Sequence, residues 1–420
     1  MNFLRGNSNV SRIIKNTGAN VFIKGLYGLT RIILLLLIAR KFGPENFGSL
    51  SLVISVVEIF RVLTDFGVDI VTIRRFSRNR LLSNRLMGNA LSLKLVSATA
   101  GYLIAGLFFW MSFKSTQGMV LLLIMGTTLY STHLINAFAS YFQANLKMQN
   151  IIVSSVISSI FYVSFTIFGL YKDWSIAALV LVMPVSELLN LFLVAKIYNQ
   201  IAPLRFGFNR RIILSLIKES IPVGVAGIVV IIYLRMDALL IAWFIGEKGV
   251  GEYAAAFRLT EPFMLIFTSL SLSLYALFLE TKEGRAANTR KNILKVLGVV
   301  LSLGLISAIM LSSFSSKIMG RFFHEYSASA NVLMVLSWLI VFKAINVQLT
   351  AFINSRGKYS YITVIAVINL MVNITLNLIL IRRYGILGVA FAVIGTEALN
   401  TLMQSACVIR LFDFSPRGSS

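Results

Sequence analysis

The 420-residue sequence has few of the residues on which soluble enzymes depend: one cysteine, two histidines, six prolines and only 13% charged residues. A single cysteine, Cys407, excludes an intrachain disulfide and a cysteine-based metal cluster. The phosphate-loop pattern GxxxxGK(S/T) is absent, so we expect no direct drive by ATP. We also expect no cofactor and no metal. The polar N-terminus has no small-residue cleavage site after a short apolar core, which predicts that no signal peptide is removed.

Long hydrophobic runs are abundant instead, since 57% of the residues are hydrophobic and the mean hydropathy is +0.82. Only helices and closed barrels satisfy their backbone in lipid, and the short alternating segments of barrel strands are missing. The sequence therefore predicts an all-α integral membrane protein. We place twelve transmembrane helices at residues 18–39, 47–68, 88–113, 118–142, 151–170, 176–195, 221–245, 251–279, 296–316, 328–353, 360–381 and 385–409.

Positive charge is distributed unevenly between the two sides of these spans. The chain has 39 basic and 16 acidic residues, a net charge of +23. An even number of spans puts both termini on one side, and most of the basic residues lie in segments on that side. The positive-inside rule then predicts cytoplasmic termini. Topology explains the basic excess, so we do not expect nucleic acid as a partner.

Three short segments of the first half recur in the second half at nearly constant offset. The aligned pairs are ARKFGPENFG with AWFIGEKGVG at offset 203, SYFQANLK with AFINSRGK at 211, and SELLN with TEALN at 210. This pattern predicts two six-helix bundles, residues 1–195 and 221–420, related by a pseudo-two-fold axis along the membrane normal. Between them, residues 196–220 form a basic cytoplasmic linker that contains a predicted short interfacial helix.

Polar residues at helical spacing form a stripe along several spans in both halves. Span 11, for example, places Asn369, Asn373 and Asn377 on one face, most simply as hydrogen bonds between helices. Charges within spans are costlier, at about 2.5 to 3.5 kcal/mol for a central arginine, and nearly always face a partner or water. Seven basic residues need such an explanation: Lys24, Arg31, Arg61, Lys94, Arg235, Arg258 and Lys343. Lys24 and Lys94 lie near the cytoplasmic ends of their spans, so their ammonium groups could instead extend to the membrane–water interface.

Some of these charges are expected to pair across helical hairpins. Asp237 and Arg258 lie at similar depth on neighbouring spans 7 and 8, which predicts an ion pair between them. Reflection of spans 1 and 2 about the turn at residues 43–44 places Arg31 near the depth of Glu58. Arg235 lies about 200° from Asp237 around the helix and is predicted to point elsewhere, toward an anionic group.

The remaining acids are candidates for carrying a coupling ion. Asp65 and Glu397 rank first because the sequence shows no obvious single partner for either. Asp237, Glu58 and Glu187 follow. His133, near the middle of span 4, could relay protons or act as a hydrogen-bonded packing residue.

The embedded cations outnumber the acids that the sequence places beside them, which predicts an anionic substrate in a central cavity. Arginine suits phosphate because its planar guanidinium holds two oxygens and stays charged when desolvated. The candidate residues for binding a pyrophosphate and its sugar are Arg31, Arg61, Arg235, Arg258, Lys343 and Lys24.

Several motifs resemble the bacterial polysaccharide flippases called Wzx, which belong with the lipid II flippases and the MATE exporters in the MOP superfamily. They are GPENFG after span 1, DFG at the end of span 2, YFQANLKM after span 4, YLRMD-x14-EYAAAFR across spans 7 and 8, and NLILIRRYGILGVAFA at spans 11 and 12. The resemblance implies that undecaprenyl-pyrophosphate-linked repeat units of O antigen or capsule are flipped across the bacterial inner membrane by alternating access. Family members line the cavity with arginines of spans 1, 2 and 8, which match Arg31, Arg61 and Arg258.

The resemblance also implies coupling to an H⁺ or Na⁺ gradient, with a polysaccharide polymerase and a chain-length regulator as candidate partners. Twelve spans leave no thirteenth and fourteenth helices like those of lipid II flippases, which argues against a peptidoglycan precursor as substrate. One alternative is a MATE-like multidrug or cation antiporter, whose cavity should be acidic. The other is a membrane polysaccharide polymerase or ligase. Its active site would need longer outward loops than the sequence provides, so we expect no enzyme.

Overall fold

A computed structural model of the protein describes the backbone of residues 3–78, 83–280, 286–326 and 328–413. Side chains are described for residues 28–78, 84–271, 278, 295–326 and 328–411. Every regular element in these ranges is an α-helix, which confirms the predicted all-α class. The helices are α1 Phe3–Asp65, α2 Val68–Arg78, α3 Ser83–Phe113, α4 Thr116–Gly126, α5 Thr128–Ala144, α6 Gln149–Tyr171, α7 Ile176–Asn199, α8 Arg210–Phe244, α9 Glu247–Glu280, α10 Ala286–Phe322, α11 Ser329–Ser337, α12 Leu339–Ser355, α13 Tyr359–Tyr384 and α14 Ile386–Asp413.

Ten helical stretches within the described residues are long and apolar enough to cross a membrane, so the chain is a multi-pass membrane protein. The number differs from the predicted twelve for two reasons. The first two predicted spans form one stretch, Gly28–Asp65, that bends at Gly43. The predicted span 251–279 corresponds to α9, which is not among the ten because the side chains of residues 272–277 and 279–280 lie outside the described residues.

Two of the predicted spans are interrupted at equivalent places. Predicted span 4 is divided at Thr127 into α4 and α5, and predicted span 10 is divided at Trp338 into α11 and α12. These two positions differ by 211 residues, the offset at which SYFQANLK aligns with AFINSRGK. The interruption is therefore part of the repeated pattern, although the pseudo-two-fold axis itself stays a prediction.

The contacts divide the chain into two compact units. The first comprises Met1–Lys41 and Ser49–Ile231, and the second comprises Phe42–Gly48 and Ile232–Ser420. In the first unit, Phe138, Phe142 and Tyr198 belong to an apolar cluster. Phe278 and Phe352 pack edge to face in the second. The predicted bundles at residues 1–195 and 221–420 stay a prediction.

The linker before span 7 differs from its prediction. Instead of a separate interfacial helix, residues from Arg210 onward form the first turns of the single helix α8. Leu216 is fully buried in the apolar cluster of the first unit, while Lys218 and Glu219 are exposed. One apolar face therefore attaches the start of α8 to the first unit, which removes the need for a break before the span.

The glycine motif that recurs at offset 203 places a glycine with positive φ at a change of helix direction in both copies. Gly43, with φ 73°, bends α1, and Gly246, with φ 99°, separates α8 from α9. Both adopt the left-handed conformation that glycine reaches without steric cost. Five residues further on, Gly48 and Gly251 lie against each other within the second unit.

Candidate functional site

The bend at Gly43 brings the two arms of α1 together and pairs their charges. An Arg31 guanidinium nitrogen lies 3.0 Å from a Glu58 carboxylate oxygen, with 25% of the arginine side chain and 12% of the glutamate side chain exposed. This is the contact that reflection about the turn predicted. The side chain of Lys24, on the same predicted stripe, lies outside the described residues.

A lysine and two aspartates form a buried cluster in the first unit. The Lys94 ammonium lies 2.6 Å from an oxygen of Asp65 and 2.6 Å from an oxygen of Asp69, and only 1% of the lysine side chain is exposed. Gly67, with φ 80°, ends α1 and turns the chain so that both aspartates face the lysine. The expectation that Asp65 has no single partner is therefore wrong, and so is the alternative in which Lys94 extends to the interface.

Two other predicted residues of the first unit have neutral partners. Glu187 accepts hydrogen bonds from the hydroxyl groups of Ser131, at 2.8 Å, and Thr132, at 2.9 Å. The Nε2 atom of buried His133 lies 2.8 Å from the Thr64 hydroxyl. His133 thus has the geometry of a hydrogen-bonded packing residue, and Glu187 is a buried carboxylate bonded to two neutral hydroxyl groups.

Arg61 differs from the other embedded cations of this unit. Its side chain is half-buried, one turn after Glu58 on α1. Among the described residues, no carboxylate lies within ion-pair distance of its guanidinium and no acceptor forms a hydrogen bond with it. An embedded arginine in this state is suited to an anionic ligand, because the cost of its desolvation is otherwise uncompensated.

In the second unit, Glu397 is the centre of a polar network. It is fully buried and forms an ion pair with Lys343. It also accepts hydrogen bonds from the Tyr233 hydroxyl at 2.6 Å, the Asn346 amide at 2.7 Å and the Asn400 amide at 3.2 Å. The expectation that Glu397 has no single partner is wrong, because α12 and α14 pack side by side and the polar stripe of one helix meets that of the other.

The predicted pair between Asp237 and Arg258 is absent. Asp237 instead accepts hydrogen bonds from the Asn377 amide at 2.9 Å and the Tyr253 hydroxyl at 3.4 Å. Arg258 donates to both oxygens of Glu261, at 2.9 and 3.0 Å, one turn further along α9. The prediction failed because similar depth does not fix which way each helix face points.

Arg235 is half-buried in α8, two residues before Asp237 and so on a different face of that helix. The asparagine ladder of predicted span 11 is buried, and the side-chain amide of Asn377 donates to the side-chain oxygen Oδ1 of Asn373 at 3.1 Å. These amides act as hydrogen bonds within and between helices, the simpler of the two interpretations.

Sequence reasoning overlooked Asp69 and Glu261, which supply carboxylates to embedded cations. Both follow a known charged residue at helical spacing, Asp69 four residues after Asp65 and Glu261 three residues after Arg258, so the signal was present in the sequence. With them included, buried acids and embedded cations are similar in number in the described spans. The predicted surplus of cations is therefore not supported. The remaining evidence for an anionic ligand comes from individual arginines, of which Arg61 is the first.

Residues 13–282 match the family model described as "Polysaccharide biosynthesis protein". The chain belongs to this family. The match covers more than half of the sequence and confirms, at the level of the family, the resemblance that the motifs of the first, second, seventh and eighth predicted spans carry.

Two proteins that are similar in sequence to this chain have names that describe transport. The "Probable low-salt glycan biosynthesis flippase Agl15" of Haloferax volcanii is 24% identical over 47% of this chain and 42% of its own length. The "Putative O-antigen transporter" of Shigella dysenteriae is 22% identical over 88% of this chain and 93% of its own length. The chain thus matches less than half of the archaeal relative but nearly all of the bacterial one.

Two solved structures share the fold of the family member. "Lipid II flippase MurJ, inward closed conformation" superimposes with a TM-score of 0.75 at 17% identity, over 95% of this chain and 89% of that chain. An inward-facing multidrug resistance MATE family transporter of the MOP superfamily gives 0.69 at 13% identity, over 92% and 96%. The protein therefore shares its fold with these two transporters.

Proposed function

We propose that the protein flips lipid-linked oligosaccharide repeat units, of the O-antigen or capsule type, from the cytoplasmic to the periplasmic leaflet of a bacterial inner membrane. The family match over residues 13–282 carries this proposal. Two relatives whose names describe a flippase and an O-antigen transporter support it, as does a fold shared with a lipid flippase. The carrier lipid in the proposal is undecaprenyl pyrophosphate, and the cycle is alternating access between two bundles.

Embedded arginines are the proposed contacts of the pyrophosphate. Arg61 is first among them, because its guanidinium has no carboxylate partner among the described residues. Arg31, Arg235 and Arg258 follow, together with Lys343 and Lys24. In this group the ion pairs of Arg31 and Lys343 would have to exchange a carboxylate for a phosphate when substrate binds.

An H⁺ or Na⁺ gradient is the proposed driving force, because the sequence carries no nucleotide-binding motif. The acids available for coupling are Asp65, Glu397, Asp237, Glu58 and Glu187. Glu187 and Asp237 are the strongest candidates, because each accepts only neutral hydrogen-bond donors. A carboxylate without a cationic partner gains or loses a proton without breaking an ion pair.

A MATE-like multidrug or cation antiporter is the second candidate function. The observation that favours it is the TM-score of 0.69 with a MATE transporter, together with embedded acids that are similar in number to the embedded cations in the described spans. Both candidates are transporters, which agrees with the names of the relatives, whereas a polysaccharide polymerase or ligase would need catalytic groups outside the spans.

Deletion of the gene separates the two candidates. With a flippase, surface polymer disappears and lipid-linked oligosaccharide accumulates in the cytoplasmic leaflet, where chemical analysis identifies the repeat unit. Reintroduction of the gene restores both. Unchanged polymer together with increased intracellular retention of cationic drugs would instead establish the antiporter. A strain that lacks the glycosyltransferase for the first sugar is the control, since it makes no oligosaccharide to accumulate.

A further inference from the structure

Two adjoining cavities lie at one end of the first unit, where α2, α3 and α8 meet the linker that follows α7. One cavity, of about 530 Å³, lies between the start of α3 and residues 203–209 of the linker. The other, of about 460 Å³, is lined mainly by Arg75, Arg78, Arg85 and Arg211. Arg85 and Asn209 line both, so the two cavities adjoin, and we refer to them together as the basic recess.

The recess lies at a membrane boundary. The apolar stretch of α3 begins at Asn84, that of α7 ends at Asn199 and that of α8 begins at Arg210, so all three meet the recess at the same face of the bilayer. The positive-inside rule assigns this face to the cytoplasm. Phe206 and Phe208 line the first cavity and are 59% and 77% exposed, which is the arrangement of apolar side chains that enter the headgroup and acyl boundary.

Close packing fixes the walls of the recess. A Cβ atom at Gly88 of α3 would collide with the carbonyl oxygen of Arg205 and lie 3.1 Å from the backbone nitrogen of Gly207. Asn89 donates to the carbonyl oxygen of Arg85 at 2.7 Å and accepts from the backbone nitrogen of Asn209 at 2.5 Å. The linker is thus held against α3, and a ligand would bind without having to order it.

Most of the positive charge in the recess is uncompensated. Arg75 is engaged, since its guanidinium donates to Glu219 and to the hydroxyl of Ser215. For the guanidinium groups of Arg78, Arg85, Arg205 and Arg211, by contrast, no acceptor or carboxylate is in contact within the described part of the chain. Four such groups around one recess strongly favour an anion with several oxygens.

We propose that this recess binds the phosphodiester headgroup of an anionic phospholipid of the surrounding leaflet. The phosphate lies between the arginines of the recess, and the acyl chains extend beside Phe206 and Phe208 into the bilayer. The exposed phenylalanines favour a lipid over a free phosphate, and arginine favours phosphate over carboxylate because its planar donors match two oxygens. The inference goes beyond transport and does not depend on the substrate that is flipped.

The test uses the purified full-length protein in detergent, with lipid retention measured by native mass spectrometry. The probes are dioleoylphosphatidylglycerol and, at equal concentration, dioleoylphosphatidylethanolamine. The test variant is Arg78→Gln/Arg211→Gln. Its matched control is Arg74→Gln/Arg210→Gln, which removes the same two charges from the same two helices but from positions that line neither cavity.

We expect the wild type and the control to retain phosphatidylglycerol in preference to phosphatidylethanolamine, and the test variant to retain at least about fivefold less of it than the control. Arg85→Gln, at the position that both cavities share, should lower retention similarly. Equal retention in test and control variants, or equal retention of the two lipids by the wild type, would overturn the proposal.

A competition arm separates the phospholipid from the carrier-lipid pyrophosphate. Polyprenyl pyrophosphate added at an equal concentration should leave most of the phosphatidylglycerol bound. If polyprenyl pyrophosphate instead displaces all of the phosphatidylglycerol from the wild type, and this displacement is lost in the Arg78→Gln/Arg211→Gln variant, the recess binds the carrier lipid. Thermal unfolding of each variant in the same detergent checks that the fold is retained, so a loss of lipid is not a loss of structure.

Discussion

Gly48 and Gly251 pack backbone against backbone. A Cβ atom added to Gly48 would lie 2.9 Å from the backbone nitrogen of Gly251, and one added to Gly251 would lie 3.0 Å from the backbone nitrogen of Gly48. Each added atom would also collide with a carbonyl oxygen, that of Glu247 in the first case and that of Pro44 in the second. Since these four residues occupy equivalent places at offset 203, the two copies of the motif contact each other reciprocally.

Alanine at either glycine should therefore destabilise the protein. Gly48→Ala and Gly251→Ala each force backbone apart, and overpacking of this kind costs about 1 to 3 kcal/mol. We expect a lower midpoint of thermal unfolding in detergent for both variants. Gly320→Ala is the control, because an added Cβ atom there has no described neighbour within 4 Å and alanine favours a helix interior. A midpoint that falls equally in all three variants would contradict the close contact.

The arginines of α1 and α9 should respond differently to truncation. Arg61→Ala removes a side chain that has no ion pair among the described residues, so we expect loss of surface polymer with little change in thermal unfolding. Arg258→Ala leaves the Glu261 carboxylate without its partner and should lower both stability and transport. The measurements are polymer staining and unfolding of the purified variants.

Arg61→Lys refines this prediction. Lysine keeps the charge but replaces the planar pair of donors with a single ammonium. If the Arg61→Lys variant transports as well as the wild type, charge alone matters at this position. Weak restoration agrees with contact to two oxygens of a phosphate.

The ion pair of Lys343 and Glu397 should show coupling in a double-mutant cycle. Lys343→Met leaves a fully buried carboxylate without its cation, which costs about 3 to 5 kcal/mol for buried pairs. Adding Glu397→Gln removes that uncompensated charge while keeping an acceptor for Tyr233. The double variant should thus unfold at a higher temperature than Lys343→Met alone. A double variant that is less stable than either single variant would mean that the two side chains do not depend on each other.

Asp237 and Arg258 should behave independently, because their hydrogen-bond partners among the described residues differ: Asn377 and Tyr253 donate to Asp237, whereas Arg258 donates to Glu261. Asp237→Asn affects the contacts with Asn377 and Tyr253, whereas Arg258→Gln affects the contact with Glu261. The free energies of unfolding of the two variants are expected to add within about 0.5 kcal/mol in the double variant. A double variant that is much milder than the sum would restore the original prediction of a pair across the hairpin.

Contacts near a turn were easier to predict than contacts between distant segments. Arg31 and Glu58 were matched correctly because both lie on the arms of one hairpin whose turn is marked by Gly43. The same reasoning failed for Asp237 and Arg258, where counting residues from the turn gave the depth but not the direction of each side chain. Arg258 pairs with Glu261 instead of Asp237, since a partner one helical turn away on the same helix needs no tertiary contact.

The sequence by itself determined the helical class, the membrane location and the family, because these follow from local properties: long apolar runs, glycine at left-handed positions and motifs that survive at low identity. Only the tertiary structure decided the partners of the buried charges. Lys94 meets Asp69 as well as Asp65, and Lys343 meets Glu397, because neighbouring helices are rotated so that their polar faces coincide. That rotation depends on packing along whole helices, which no spacing within a single span specifies.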